Sequence, residues 1–363
     1  MRDVRVAYSL EQCWHRVPGG TAVSALEVAR ELSAREDVTL LPFVGRHSRP
    51  PTIPIDLQGS MTSLPLGYPY LYEGWLRFGW PKVESVCDAD VVHGTTIIPP
   101  ATQLPLVVTI HDLAFFRYPK FFSKRGNRVF RRSVEILKER RCLVMCSSTA
   151  TMTDCVSAGF DESLLRLVPL GVRPSMPSPA DIERVRVTYD LPDTFVLFVG
   201  TLEPRKNLTR LIEAMNSMAE RIPLVVAGVN GWGDVPVVPH DMQITFLGQV
   251  PQHNLSALYQ LATVFAYPSL WEGFGLPILE AMTQGTPVVT SLGTSTQEVA
   301  SDAAVLVDPL DVSSIVQGLR QALGSREVLA QKGRDRASHM VWGRTAQLTR
   351  DVYVEALAMG VKQ

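Results

Sequence analysis

Short apolar runs rich in Val, Ile, Leu and Phe recur along the chain, each bounded by Gly, Pro, Ser or Asp and most followed by a longer stretch with apolar positions at helical spacing. The first set lies at residues 4–10, 38–44, 90–94, 106–112 and 143–146; the second at 195–199, 224–227, 244–247, 264–267, 288–290 and 305–307. Runs without polar alternation belong to strands covered on both faces. Strands alternating with helices in this way predict doubly wound parallel sheets. Between the two sets, residues 173–180 hold three prolines in eight positions, the composition of a linker. The fold class expected is α/β, with two Rossmann-like domains at 1–172 and 173–344 facing each other across a cleft at the carboxyl ends of their sheets.

Composition narrows this picture. A chain of 363 residues exceeds one comfortable core, in keeping with two domains. The net charge of −1 argues against a nucleic-acid partner. Cys13, Cys87, Cys142, Cys146 and Cys155 follow no metal-ligand spacing and read as reduced, buried thiols. The N-terminus carries Arg2, Asp3 and Arg5 where a signal peptide would be apolar, and no uncharged run approaches a membrane span. The expected location is the cytoplasm, with no metal site and no cofactor.

The chemistry concentrates in residues 267–282, Tyr-Pro-Ser-Leu-Trp-Glu-Gly-Phe-Gly-Leu-Pro-Ile-Leu-Glu-Ala-Met. A buried strand ends at Pro268. Gly273, Phe274, Gly275 and Leu276 form a loop that lets a ligand approach the main chain, Pro277 suits a helix start, and Gly285 is placed to stop that helix. The amides of Gly275 and Leu276, with the positive helix end, favour a phosphate or sugar oxygen. Glu272 precedes the helix and Glu280 lies in its first turns. As isolated acids they would be a loop charge and a charge complementing the dipole.

Glu272 and Glu280, with seven residues between them framing Gly-Phe-Gly-Leu-Pro, resemble the E-x(7)-E motif of retaining glycosyltransferases of family 4. The resemblance spans nearly the whole chain and implies the GT-B fold. It gives Glu272 the donor sugar and Glu280 the ribose hydroxyls of the nucleotide. Gly200-Thr-Leu-Glu-Pro-Arg205-Lys206-Asn207 is similar to the family's Gly-x-x-x-x-Arg-Lys-Asn, whose cations stabilise the leaving nucleoside diphosphate. An Arg fork beside a Lys point charge suits that anion on physical grounds too. Thr201 stands where some members carry Arg. In the first domain, Gly19 and Gly20 match a loop that lies against the diphosphate and acceptor, although a Gly-Gly pair alone is more often a tight turn. They are not the dinucleotide fingerprint, which needs three glycines. Thr-Ile-His111-Asp-Leu resembles the motif whose histidine touches the donor sugar, with Asp112 placed to orient it, whereas His93 reads as structural. Residues 167–172 resemble Val-Pro-Asn-Gly-Val, with Leu170 in place of Asn. Residues 342–346 resemble the Trp-x-x-Thr-Ala opening of a last helix, 345–363, that returns to the N-terminal domain.

These matches imply an N-terminal acceptor-binding domain, a C-terminal donor-binding domain, and hexosyl transfer from GDP-mannose or, as second choice, a UDP-hexose. The acceptor implied is a glycan, lipid-linked molecule or small molecule in polysaccharide assembly. Residues 46–81 break the αβ pattern and hold Tyr68, Tyr70, Tyr72, Trp75 and Trp80, rings that suit an acceptor or ordinary packing. Residues 120–141 read as one basic amphipathic helix, either a solvated face or a peripheral contact with an anionic membrane at the inner face of the plasma membrane. Glu298 is placed either near the cleft or at the surface. A glycoside hydrolase would also need two carboxylates, but it leaves Arg205 and Lys206 unexplained. A sugar-nucleotide epimerase on the same fold and a non-catalytic nucleotide-sugar binder remain the alternatives.

Overall fold

The computed structural model describes residues 3–15, 19–57, 59–229, 231 and 239–360. Contacts along the chain divide it into two units, Met1–Gly171 with Trp342–Gln363, and Val172–Val341. Among the described residues the first unit carries β1 (Val4–Ser9), β2 (Val38–Val44), β3 (Thr62–Ser63), β4 (Val91–Gly94), β5 (Leu106–Ile110), β6 (Leu143–Cys146) and β7 (Leu165–Leu167). They form one sheet in the order β3-β2-β1-β4-β5-β6-β7, parallel throughout. Helices α1 (Gly19–Ser33), α2 (Tyr70–Phe78), α3 (Ala114–Arg117), α4 (Lys124–Arg140) and α5 (Thr149–Ser157) connect them. Ala7, Val92, Val108 and Val144, one from each of four adjacent strands, belong to the same buried cluster. Each such side chain removed from water stabilises the fold by up to ~1.5–3 kcal/mol.

The second unit repeats the plan. Its elements run α6 (Pro179–Thr188), β8 (Val196–Val199), α7 (Leu208–Ser217), β9 (Leu224–Ala227), β10 (Ile244–Gly248), α8 (Gln252–Leu261), β11 (Val264–Tyr267), α9 (Leu276–Thr283), β12 (Val288–Ser291), α10 (Ser295–Ala300), β13 (Val305–Val307), α11 (Val312–Gly324) and α12 (Arg326–Ser338). The strand order is β10-β9-β8-β11-β12-β13, again all parallel. Phe198, Val226 and Ala266 from the sheet pack with Leu211 and Ile212 of α7 and Ile315 and Leu319 of α11. The chain then returns: α13 (Trp342–Gly360) belongs to the first unit. Its buried positions, Thr345, Thr349, Val352, Tyr353 and Ala356, recur every three or four residues and so form one face, which packs on α1. Thr345 donates to the Pro169 carbonyl at 2.8 Å, and Arg350 pairs with Asp37 at 2.9 Å.

Several expected boundaries shift. The first helix begins at Gly19, so Gly19 and Gly20 are its first turn rather than a loop before it; Pro18 lies outside the described residues. Residues 46–81 contain α2, which glycine-rich composition hid. Leu71, Tyr72, Trp75 and Leu76 form its buried stripe, and a Cβ on Gly74 would lie 2.4 Å from the Trp80 carbonyl oxygen, so the chain crossing over that turn demands glycine. The basic helix is shorter than 120–141. Ser123 caps it by accepting the Gly126 amide at 3.0 Å, and Pro119–Phe121 is a separate 3-10 turn. The last strand of the first sheet, Leu165–Leu167, ends as the Val-Pro-Leu-Gly-Val segment begins.

Candidate active site

In the second sheet β8 and β11 are neighbours from which the strand order runs in opposite directions, the position where doubly wound sheets open a crevice for ligands. The loops following these two strands are tied together. Asn207, in the left-handed region at φ 61°, ends the 3-10 turn Pro204–Lys206 and starts α7. Its side-chain amide donates to the carbonyls of Pro268 at 2.9 Å and Pro309 at 2.7 Å. The Leu270 amide donates to the Arg205 carbonyl at 2.8 Å, and Ser295 Oγ donates to the Glu272 carbonyl at 2.7 Å. Three loops therefore fix where the side chains of 205, 206 and 272 can go.

Those side chains meet. Lys206 Nζ donates to Glu272 Oε1 at 2.7 Å, and Arg205 Nη1 to Glu272 Oε2 at 3.0 Å. Arg205 also bonds the Trp271 carbonyl at 2.9 Å and Glu203 Oε1 at 2.8 Å. Lys206 reaches the Tyr267 hydroxyl at 2.5 Å and lies 5.0 Å from the centre of that ring. Glu203, Lys206 and Glu272 are all buried. Two carboxylates and two cations thus make an electroneutral cluster in a site of low polarity, where an unpaired charge would not survive. Burial pushes the Glu272 carboxyl up, but the Lys206 ammonium and Arg205 guanidinium outweigh it and hold the acid at about 2. Burial lowers the Lys206 pKa against the opposing pull of Glu272. Burial drives the Tyr267 phenol well above its ordinary value, so it stays protonated.

Glu280 is held apart from this cluster. It lies on α9, half-buried, with Oε2 accepting the Tyr259 hydroxyl at 2.9 Å, and burial raises its pKa. Gly275 precedes α9 at φ 114°, and a Cβ there would press on Ile278 at 3.1 Å and Thr296 at 3.3 Å. Pro277 is the second residue of the helix, and Gly285, at φ 73°, follows its end. The α9 N-terminus therefore opens directly after Gly273, Phe274 and Gly275, with Leu276 as its first residue.

In the first unit, His111 follows β5, and burial lowers its pKa; its ring bonds the backbone of Thr95. Asp112 Oδ1 accepts the Ala114 amide at 3.0 Å, and its charge pulls the His111 pKa up against the larger effect of burial. His93 is structural, with Nδ1 at 2.7 Å from the Tyr353 hydroxyl and Nε2 at 2.8 Å from Thr109 Oγ1. Burial drops its pKa to about 3, so the ring is neutral. The cavity between His93 and His111, of about 20 Å³, has room for one water. All five cysteines are free and buried. Sequence reading singled out Arg205, Lys206 and Glu272, which the fold brings together, but gave no part to Glu203, Tyr267 or Asn207. Glu203 stands two residues before Arg205, and that spacing was the available signal.

The two doubly wound units match solved structures of GT-B fold, among them WaaG, a glycosyltransferase involved in lipopolysaccharide biosynthesis, with a TM-score of 0.70 at 18% identity, over 96% of this chain and 98% of the other. The family model for Glycosyl transferases group 1 matches residues 181–337, and that for Glycosyltransferase Family 4 matches residues 18–175. The chain belongs to glycosyltransferase family 4. It is 32% identical over 281 residues, covering 72% of this chain and 74% of the relative, to O-antigen chain mannosyltransferase B of Escherichia coli. Its fold matches sucrose-phosphate synthase of Thermosynechococcus elongatus with a TM-score of 0.76 at 20% identity, over 98% of this chain and 100% of the other. It likewise matches the Anabaena protein HepE, solved with UDP and glucose, with a TM-score of 0.71 at 18% identity, over 96% and 98% of the two chains.

Proposed function

We propose that the protein transfers a hexosyl group, mannosyl as first choice, from a nucleotide sugar to a hydroxyl of a glycan or lipid-linked acceptor, with retention of anomeric configuration. The observation that carries this is the buried Glu203–Arg205–Lys206–Glu272 cluster at the ends of β8 and β11. In such a transfer the bond from the sugar C1 to the phosphate oxygen breaks and a bond from C1 to the acceptor oxygen forms. The acceptor proton passes to the leaving diphosphate. The protein must stabilise charge growing on that diphosphate, and fixed cations do this without reorganising. Arg205 and Lys206 take that part, with the amides after Gly273 and no cofactor or metal. Glu272 keeps Lys206 protonated and faces the sugar, and Glu280 receives the ribose hydroxyls. His111 bonds the transferred sugar, and the first turn of α1 at Gly19 and Gly20 receives the diphosphate.

The name of the Escherichia coli relative supports mannose and hence GDP-mannose; the UDP in the Anabaena structure supports a UDP-hexose as the second choice. Incubation with radiolabelled GDP-mannose and a panel of UDP-hexoses tests the assignment. Label must move to the acceptor with release of nucleoside diphosphate. An epimerised sugar nucleotide, or binding with no turnover, overturns it.

The acceptor side suggests a peripheral contact with an anionic membrane. No helix among the described residues is long and apolar enough to cross one. The apolar residues of the basic helix turn inward: Val134 and Leu137 are buried, and Val129 and Phe130 pack on the core, as does Phe122 just before the helix. The exposed rings belong to α2 and its flanks, with Tyr70 71%, Phe78 78% and Trp80 53% exposed. Glu73 of α2 pairs with Arg125 and Arg128 of α4, which brings rings and cations to one surface. Liposome flotation tests it: binding must require anionic lipid and fall with salt. Equal binding to neutral vesicles, or none at low salt, removes the membrane from the proposal.

A further inference from the structure

The first sheet has its own reversal of strand order, between β1 and β4, and the residues there carry a second polar site. Immediately after β1, Glu11–Trp14 forms a 3-10 turn that buries both Glu11 and Gln12. Glu11 Oε2 is satisfied, accepting the Gly45 amide at 2.7 Å and lying 3.0 Å from His47 Nε2. Gln12 Nε2 donates to Thr95 Oγ1 at 2.7 Å, and that hydroxyl donates to the Ser9 carbonyl at 2.6 Å. The other oxygens, Glu11 Oε1 and Gln12 Oε1, are buried with no hydrogen-bond partner. Two acceptors without donors on consecutive residues, one of them on a carboxylate, are costly to keep inside a protein and persist where something else supplies the donors.

The surroundings limit what that is. Both orphan atoms accept, so the occupant brings hydroxyl or amine hydrogens. Trp14 stacks on His47 with ring centres 4.5 Å apart and planes 9° from parallel. His15 Nε2 lies 3.0 Å from the Tyr72 hydroxyl, and Tyr68 meets Tyr72 edge-on at 5.6 Å. Flat rings beside acceptors suit a molecule with C–H faces and hydroxyl edges. Thr95, which orders Gln12, also receives the His111 ring through its backbone.

We propose that Glu11 and Gln12 bind hydroxyls of the acceptor, a neutral pyranoside at the end of a glycan, and so set acceptor specificity. This rests on the transferase reading above and adds the residues that select the acceptor. It also gives the segment 46–81 a use, since His47 and Tyr68 come from its irregular part and Tyr72 from α2.

The test separates the two claims. Transfer by the wild-type protein from labelled nucleotide sugar to a glycan acceptor establishes the reading on which the subsite rests; no transfer with any donor defeats both. With an active donor in hand, Glu11→Gln should raise the acceptor KM about tenfold, the loss of a hydrogen bond to a charged acceptor, while the donor KM moves less than twofold. Its melting temperature should change little, because the glutamine amide oxygen can still accept the Gly45 amide. An unchanged acceptor KM, or donor and acceptor KM rising together, overturns the subsite. If Glu11→Gln does not fold, Glu11→Asp retains the charge, withdraws it by one methylene and must raise the acceptor KM as well. NMR titration of the wild-type chain with methyl α-mannopyranoside gives a readout free of catalysis: shifts at Trp14 and Tyr72 are expected, and binding that Glu11→Asp leaves unaltered counts against the proposal.

Discussion

The two units share one topology and put opposite chemistry at corresponding places. At the end of β8 and β11 the second unit has two carboxylates and two cations, each ionised group paired. At the end of β1 and β4 the first unit has a single carboxylate, 3.0 Å from His47, and an amide, set among aromatic rings; one oxygen of each is unpartnered, as is Glu203 Oε2 in the other cluster. Parallel strands of similar apolar content built both sheets, so the strand order decides where a ligand can enter and the loop residues decide which ligand it is. Paired charge suits a strongly anionic group that changes charge during reaction. A lone carboxylate and an amide without cations beyond one histidine suit a neutral group that stays neutral.

The contrast breaks most readily at the cations. Arg205→Ala or Lys206→Ala should lower kcat by about 10²–10³-fold at saturating donor, the range for loss of a donor to developing oxyanion charge. A loss below tenfold in steady-state assays would show that the diphosphate is stabilised elsewhere. Glu272→Gln should reduce turnover about 10²-fold. It also leaves the cluster with one excess positive charge, so calorimetry with the bare nucleoside diphosphate should show affinity equal to or above that of the wild type. Affinity lost in parallel with turnover would contradict the division of labour between Glu272 and its cations.

Glu280→Gln belongs to a different part of the site and should act differently. Removing a charged acceptor for ribose hydroxyls should weaken nucleoside diphosphate binding about tenfold, with kcat at saturating donor reduced less than by Glu272→Gln. Calorimetry and kcat on the same preparation decide it.

Acid unfolding sharpens the comparison further. Glu272 has a folded pKa of about 2 against an ordinary 4.5, so its contribution to stability is complete above about 4.5 and is lost as the pH falls toward 2. His93 is also depressed, to about 3 from an ordinary 6.5, so stability begins to decline at higher pH, as the unfolded chain takes up a proton that the folded ring refuses. Denaturant midpoints from pH 7 to 3 should fall less in Glu272→Gln below pH 4.5 and less in His93→Gln between 6.5 and 4.5. Identical slopes in all three proteins would mean that neither group titrates as its surroundings dictate. The smallest effect is expected from chelation: EDTA should leave transfer unchanged, and loss restored by Mn²⁺ would assign the diphosphate charge to a metal.

Sequence alone determined the pieces whose signals are local. Uninterrupted apolar runs such as Val196–Val199 and Val264–Tyr267 specify buried parallel strands because both faces must be covered. Gly275 and Pro277 mark a loop entering a helix, because the left-handed backbone at Gly275 favours glycine and a helix start tolerates the missing N–H of proline. Arg205, Lys206 and Glu272 were legible as a set only through resemblance to a family motif. That Lys206 and Glu272, 66 positions apart, share a hydrogen bond of 2.7 Å followed from β8 and β11 being neighbours in the sheet. Tertiary structure decided the rest because the causes lie far along the chain. Glycine at 74 is explained by the Trp80 carbonyl crossing above it, so α2 could not be read from helix propensity. The rings of Tyr72 and Trp75 are core while Tyr70 and Trp80 face outward, a division that only packing sets. Glu11 and Gln12 follow a strand as many polar residues do, and only the fold decides that they are consecutive, buried and each left with one oxygen lacking a donor.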